Sequence, residues 1–172
     1  MYEVDDNDQI VELENVPQSS IGTPVPIVLA GEHNVILAYY VEAAPEGWNG
    51  TSVRISDSNS EGESVAIITF DRCYAHLFGP PNDETFDGHP LSNRGLRPYH
   101  AFEVKDSSWI RNLETMNSVH SSHVKDRFMK NKRHFIFSFH DTTFECIAEG
   151  FSVEPGIGPI KRNVPRMLDF LR

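Results

Sequence analysis

The sequence predicts one α+β domain, in which a mainly antiparallel sheet of about six to eight strands is packed by a central helix and a short C-terminal helix. The length of 172 residues fits a single domain of about 100–200 residues. Short β-branched and aromatic runs recur between Gly, Pro and polar breakers, as in antiparallel meanders. The sequence does not alternate between strand-like and helix-like segments, the pattern that would indicate a parallel sheet. A composition of 39% hydrophobic and 10% aromatic residues excludes a disordered chain.

The strands begin after an acidic lead-in, residues 1–24, which we expect to be only partly ordered, and the α+β domain covers residues 25–172. Strand-like runs occupy residues 26–30, 34–42, 51–56, 64–71, 73–78 and 99–105. In residues 35–41 the side chains expected on both faces of a strand are apolar, which predicts a central strand covered on both faces.

Residues 134–141 and 143–150 predict a hairpin around an Asp141-Thr142 turn. This register places Phe137 opposite Cys146 and puts the phenylalanines on one buried face. On the other face His134 lies opposite Glu149, and we expect this pair at or near the solvent.

Two helices complete the prediction. Residues 107–120 form an amphipathic helix, because Trp109, Ile110 and Leu113 follow a capping serine at helical spacing. A Pro- and Gly-rich linker over residues 155–159 leads to a C-terminal helix capped by Asn163.

Charge is distributed unevenly along the chain. Nine carboxylates precede Arg54, the first basic residue, and the formal net charge of the whole chain is −10. The negative electrostatic field of such a chain argues against binding to nucleic acids and to membrane surfaces. The chain shows no secretory signal and no membrane-length apolar run, and Cys73 and Cys146 fit buried reduced thiols. We therefore expect a cytoplasmic protein.

The charge pattern favours a non-enzymatic interaction protein that binds and masks a basic protein partner, as an inhibitor or immunity-like protein does. No cofactor is predicted. The partner-binding candidates are the carboxylates of the lead-in: Glu3, Asp5, Asp6, Asp8, Glu12 and Glu14. Five bases within residues 125–133 are expected to pair with the acidic N-terminal third.

The alternative is a small metal- or His-dependent hydrolase with its site on the long polar loop at residues 79–98. A loop of this length without periodicity is often functional. Its catalytic candidates are His76, Asp83, Glu84, His89 and Arg94. No metal spacing is diagnostic, and His76, Asp83 and His89 are the weak metal-ligand candidates. If the chain is an enzyme, His76, Asp83, Glu84 and His89 should converge. Arg94, Arg97 or the basic residues of 125–133 are further candidates for binding a small anion.

Three segments resemble parts of small stand-alone bacterial proteins that have no assigned activity. They are Gly88-His89-Pro90-Leu91, Ser107-Ser108-Trp109-Ile110 and the hairpin sequence HFIFSFHDTTFEC from His134 to Cys146. The resemblance extends over residues 70–151. It implies a bacterial or phage-related cytosolic protein and assigns no role to any residue.

Overall fold

The computed structural model describes residues 2–42 and 61–171, which form two antiparallel sheets and three α-helices. The strands are β1 (Gln9–Glu12), β2 (Ile27–Ala30), β3 (Val35–Tyr40), β4 (Ser64–Asp71), β5 (Ala75–Gly79), β6 (Ala101–Lys105), β7 (Arg133–Ser138), β8 (Thr143–Ala148) and β9 (Gly150–Ile157). The helices are α1 (Ser108–Asn117), α2 (Lys125–Met129) and α3 (Ile160–Asp169). The predicted strand at 51–56 lies outside the described residues.

The α+β prediction is confirmed, and the strands divide between two sheets. The five-stranded sheet has the order β1-β6-β7-β8-β5, and the four-stranded sheet has the order β2-β3-β4-β9. Every pairing in both sheets is antiparallel. Part of the lead-in is therefore sheet, because β1 pairs with β6.

The inner core lies between the two sheets and is rich in phenylalanine. Phe70 of β4 has its ring centroid 5.9 Å from that of Phe135, 5.5 Å from that of Phe137 and 5.3 Å from that of Phe144. Both cysteines are free thiols in this core. Aromatic pairs at these separations pack favourably beyond their buried area.

Each sheet is covered on its outer face. Ile160 and Met167 of α3 pack against the four-stranded sheet. The five-stranded sheet is covered by α1 and by the 79–98 loop, which contributes Phe86, Leu91 and Leu96. The loop therefore holds a small core of its own, with two short 3-10 turns at Phe86–Gly88 and Ser92–Arg94.

The hairpin keeps its predicted faces in a different register. Phe137 pairs with Phe144 and Phe135 pairs with Cys146, because the turn takes four residues instead of two. The phenylalanine face is buried as predicted. The expectation for His134 was wrong, since this residue is 0% exposed beneath Trp109 of α1 and Tyr2.

The C-terminal region differs most from the prediction. The expected linker is largely β9, which pairs with β4 along eight residues. Pro155 is compatible with this strand because β9 lies at the sheet edge, where a missing N–H is tolerated. Helix α3 begins at Ile160 after Pro159, so Asn163 is not its cap. The Asn163 side chain instead donates to the carbonyls of Ile157 and Pro159 at 3.3 Å.

Candidate functional site

A buried group of ionisable side chains lies on the outer face of the five-stranded sheet, and we call it the Glu145 cluster. Strand β7 supplies His134, and β8 supplies Glu145. The 79–98 loop supplies His89, the N-terminal segment supplies Tyr2, and the N-cap of α1 supplies Ser107. Residues far apart in sequence thus meet at a single carboxylate.

Glu145 accepts three hydrogen bonds inside this cluster. Its Oε1 lies 3.0 Å from His89 Nε2, and its Oε2 lies 3.1 Å from His134 Nε2. The Tyr2 hydroxyl donates to Oε2 at 2.7 Å. Beyond His134, Nδ1 lies 2.9 Å from the Ser107 hydroxyl.

Hydrogen bonds and burial together determine the electrostatics of this cluster. His89 Nδ1 accepts from the Leu91 backbone N–H at 3.1 Å, so its proton lies on Nε2, towards Glu145. Burial lowers the pKa of His134, because a low-dielectric environment disfavours the charged imidazolium. Burial alone would raise the pKa of Glu145, but the hydrogen bonds from His134 and His89 outweigh it and hold the pKa at about 2.

The order Ser107–His134–Glu145 is that of hydroxyl, imidazole and carboxylate in serine nucleophile sites. Access distinguishes this cluster from such a site. The Ser107 oxygen also caps α1 by accepting from Ile110 N–H at 3.3 Å, and Ser107 is only 3% exposed. In this conformation the hydrogen bonds of the Glu145 cluster hold the N-terminal segment, the 79–98 loop and α1 against the five-stranded sheet.

A second cluster, Asp83–His140–Tyr99, is open to solvent. His140 Nδ1 lies 2.8 Å from Asp83 Oδ2, and the same oxygen accepts from the Tyr99 hydroxyl. These hydrogen bonds raise the pKa of His140 and lower that of Asp83. Burial and the Asp83 hydrogen bond raise the pKa of Tyr99 to about 12. Tyr99 has a φ of 63°, a strained conformation for an aromatic residue.

A cavity of about 290 Å³ lies where the end of the lead-in crosses from one sheet to the other. Its wall includes Glu12, Glu14 and Ser19 of the lead-in, and Tyr39 of the four-stranded sheet. Tyr99 of the open cluster also lines it. The cavity thus brings aromatic rings and carboxylates together on one concave surface.

The structure separates the enzyme candidates of the 79–98 region. His89 faces Glu145 on the outer side of the sheet, whereas Asp83 binds His140 near the hairpin turn. His76 pairs with Cys146 across β5 and β8, so it points to the opposite face from Glu145. Glu84 is exposed, and Arg94 donates to the carbonyls of Asp5 and Asp8. The expected convergence is not observed.

The partner-binding candidates of the lead-in divide into two groups. Asp8 is 3% exposed and accepts from Ser108 N–H at 2.7 Å. Asp5 pairs with Arg111 at 2.6 Å and Glu12 with Arg97 at 2.5 Å. The remaining three, Glu3, Asp6 and Glu14, are exposed, and the nearest base to Asp6 is Arg94 at 3.9 Å.

Within residues 2–42 and 61–171, no base of the 125–133 run pairs with an acid of the N-terminal third, contrary to the expectation. Arg133 pairs with Glu103 at 2.6 Å. Lys132 Nζ lies 3.9 Å from the Tyr74 ring centroid and 4.0 Å from that of Phe128. In the part of the chain that the structure describes, the arginines that contact lead-in acids are Arg94, Arg97 and Arg111.

Sequence reasoning places His134 and Glu145 on one face of the hairpin but does not connect Tyr2, His89 or Ser107 with them. The available signal was the position of two ionisable residues on the non-phenylalanine face of a hairpin otherwise rich in apolar residues. No local pattern indicates that α1 and the N-terminal segment cover that face, because neither is adjacent to it in sequence.

Comparison with protein-family models, with curated proteins and with solved structures finds no significant match. Within residues 2–42 and 61–171, no group of three or more His, Cys, Asp or Glu side chains is arranged to hold a metal ion. No helix in the same residues is long and apolar enough to cross a membrane.

Proposed function

We propose that this chain is a non-enzymatic, acidic binding protein that captures and masks a basic protein partner in the cytoplasm, in the manner of an inhibitor or immunity protein. The observation that carries the proposal is the lead-in itself. It is anchored to the sheet through β1 and still presents Glu3, Asp6 and Glu14 to solvent.

Anchoring matters because fixed charges recognise a partner better than mobile ones. A mobile acidic tail provides solubility, whereas carboxylates held on a folded surface can complement a defined basic patch. The net charge of −10 adds long-range attraction, which raises the rate of encounter with a cationic protein. The burial of Ser107, which is 3% exposed, and of His134, which is 0% exposed, favours a structural role for the Glu145 cluster and so supports binding over catalysis.

The test compares two triple variants of the full chain. One neutralises the exposed lead-in acids, as Glu3→Gln, Asp6→Asn and Glu14→Gln. The matched control neutralises exposed acids outside the lead-in, as Glu32→Gln, Asp71→Asn and Asp126→Asn. Each protein is immobilised, exposed to extract of the source cell at about 0.01 M salt, and eluted with increasing salt.

We expect the wild type and the control to retain the same basic protein and to release it at the same salt concentration. The lead-in variant should release it at lower salt or fail to retain it. Equal retention by both triple variants would contradict the proposal, as would an eluted set without a basic protein. Neutralisation is preferable to deleting residues 1–14, because deletion removes β1, the edge strand that pairs with β6.

A second candidate function, a small His-dependent hydrolase, is favoured by one observation. The side chain of His140 is 43% exposed, and no described residue hydrogen-bonds its Nε2. With Asp83 on Nδ1, this imidazole has the arrangement of a general base. Asp83 is the one candidate of the 79–98 loop that joins an exposed imidazole.

This alternative is tested with p-nitrophenyl acetate and p-nitrophenyl phosphate as probes. If the chain is a hydrolase, His140→Gln should abolish turnover of one of them, and His76→Gln should leave it unchanged. Hydrolysis that is absent, or equal in the wild type and His140→Gln, would exclude His140 as the base.

A further inference from the structure

The cavity of about 290 Å³ is lined by two kinds of groups that together recognise cations. Aromatic rings come from Tyr39, Tyr99, Phe137 and Phe139, and carboxylates come from Glu12 and Glu14. No Lys or Arg is among its described lining residues. A cation placed over aromatic faces and near a carboxylate is stabilised by both.

Ser19 gives an independent sign that the cavity accommodates a polar ligand. This residue is 4% exposed, and its hydroxyl has no hydrogen-bond partner within the described structure. Buried hydroxyls are almost always paired, so an unpaired one needs an explanation. A ligand N–H entering the cavity lined by Ser19 would supply the missing partner.

The two carboxylates of the cavity are not equivalent. Glu12 is bound by the Arg97 guanidinium at 2.5 Å, and its other oxygen lies 3.6 Å from His100 Nε2. Glu14 is exposed, and no basic group of the described chain pairs with it. The negative charge available to a ligand at this cavity is therefore that of Glu14.

We infer that the cavity receives one arginine side chain of the basic partner, an inference that rests on the proposed function. A planar guanidinium stacks on aromatic rings and offers several N–H donors in fixed directions, whereas a lysine ammonium does neither. The donors match the Ser19 hydroxyl and the Glu14 carboxylate, and the methylene stem matches apolar lining residues such as Leu13 and Val16. A volume of about 290 Å³ has room for one side chain.

The experiment titrates the full chain with N-acetyl-arginine methylamide and follows amide chemical shifts by NMR. The matched probe is N-acetyl-citrulline methylamide, which has nearly the same shape and no charge. We expect saturable binding of the arginine probe, with shifts centred on residues 12–19, and about tenfold weaker binding of the citrulline probe. The corresponding lysine probe should also bind more weakly than the arginine probe.

Two variants locate the interaction. Glu14→Gln should weaken binding of the arginine probe several-fold and leave binding of the citrulline probe unchanged. Ser19→Ala should weaken binding of both, and a thermal melt verifies that it folds. Glu32→Gln, an exposed acid outside the cavity, should change neither.

Equal affinity for the arginine and citrulline probes, or no saturable binding, would overturn the inference. If the lead-in-dependent capture of a basic partner persists in that case, the proposed function stands and only the cavity is excluded as its contact point. If the arginine probe binds as expected but no basic partner is captured, the cavity site stands and the proposed function fails.

Discussion

The hydroxyl of Tyr2 gives one of the three hydrogen bonds that hold a buried carboxylate in place. It donates to Glu145 at 2.7 Å, and Glu145 is 2% exposed. Hydrogen bonds to buried charged groups contribute about 1.5–3 kcal/mol each. Tyr2→Phe should therefore lower the free energy of unfolding by about 2 kcal/mol, measured by urea denaturation.

Tyr74→Phe is the matched control for this change. The Tyr74 hydroxyl donates to Glu149 at the same distance of 2.7 Å, but at an exposed site. Its loss should cost under about 1 kcal/mol, because solvent screens and replaces the bond. Similar losses in the two variants would show that the Glu145 cluster is not a sealed network.

Phe137 tests the inner core at the same scale. It is 2% exposed and packs edge-on against Phe70, so Phe137→Ala should cost about 3–5 kcal/mol. Phe78→Ala, at a phenylalanine that is 43% exposed, should cost far less. Denaturant midpoints for the two variants check the prediction, and a Phe137→Ala midpoint as high as that of Phe78→Ala would refute it.

These residues also show how far sequence reasoning reaches. Alternation along 134–150 correctly identified Phe135, Phe137 and Phe144 as core, because period 2 assigns side chains to faces locally. The exposure of the other face depends on what covers it. For His134 the cover is Tyr2 and Trp109, and no local pattern predicts contacts with those parts of the chain.

At the scale of helices and strands, the N-terminus of α1 is stabilised by a residue that lies outside the helix. Its first residue, Ser108, donates its N–H to Asp8, which lies 100 positions earlier in the sequence. A carboxylate at a helix N-terminus satisfies an unpaired donor and complements the helix dipole. The position of Asp8 in an acidic run concealed this structural role.

We expect Asp8→Ala to lower the free energy of unfolding by about 1–3 kcal/mol. Asp6→Ala is the control, since the Asp6 side chain is fully exposed and its removal should cost little. Thermal or urea unfolding of both variants decides the matter. An Asp8→Ala variant as stable as Asp6→Ala would assign Asp8 to the solvated acidic surface.

Strands and helices were predicted correctly where the sequence pattern is local. They were missed where a segment becomes a strand only by pairing with a distant one. The run at 64–71 predicted β4 at the bounds observed, and Ser107 was among the residues predicted as caps for α1. β9 was missed because Pro155 and Gly156 are turn residues in most contexts. Pairing with β4 overrides that preference, and an edge position removes the cost of the missing Pro155 N–H.

For the whole molecule, the Glu145 cluster predicts loss of stability in acid. An unfolded chain binds a proton at His134 below about pH 6.5 and at Glu145 below about pH 4.5. The folded chain resists both protonations, because its pKa values at these two residues are lowered. Since the unfolded state then binds more protons, the free energy of unfolding should fall as pH decreases from about 7 to 4.

His140 acts in the opposite sense, because its raised pKa adds stability below about pH 6.5 that is lost as pH rises. Its side chain is exposed, so this effect should be the smaller one. The test is the urea midpoint of the wild type and His140→Gln at several pH values. The urea midpoint should fall more steeply with decreasing pH in His140→Gln than in the wild type. A wild-type midpoint that rises as the pH is lowered to 4 would contradict the account.

The division into two sheets was beyond sequence reasoning for a physical reason. Short antiparallel strands specify faces and local hairpins, but not which distant strands pair. β6 joins β1 and β7, whereas β4 joins β3 and β9. The charge pattern was evident at once, yet its pairing with Arg94, Arg97 and Arg111 depends on the same long-range placement.

The most direct test of the central claim is the rate at which the chain associates with the basic protein eluted from it. Association is followed by stopped-flow fluorescence at ionic strengths of about 0.01 M and 0.15 M, over which the screening length falls from about 30 Å to about 8 Å. The wild type should associate several-fold more slowly at the higher salt, and the Glu3→Gln, Asp6→Asn, Glu14→Gln variant should be slow at both. Wild-type rates that are independent of salt and equal to those of the variant would contradict the claim that the anchored acidic lead-in captures a basic partner.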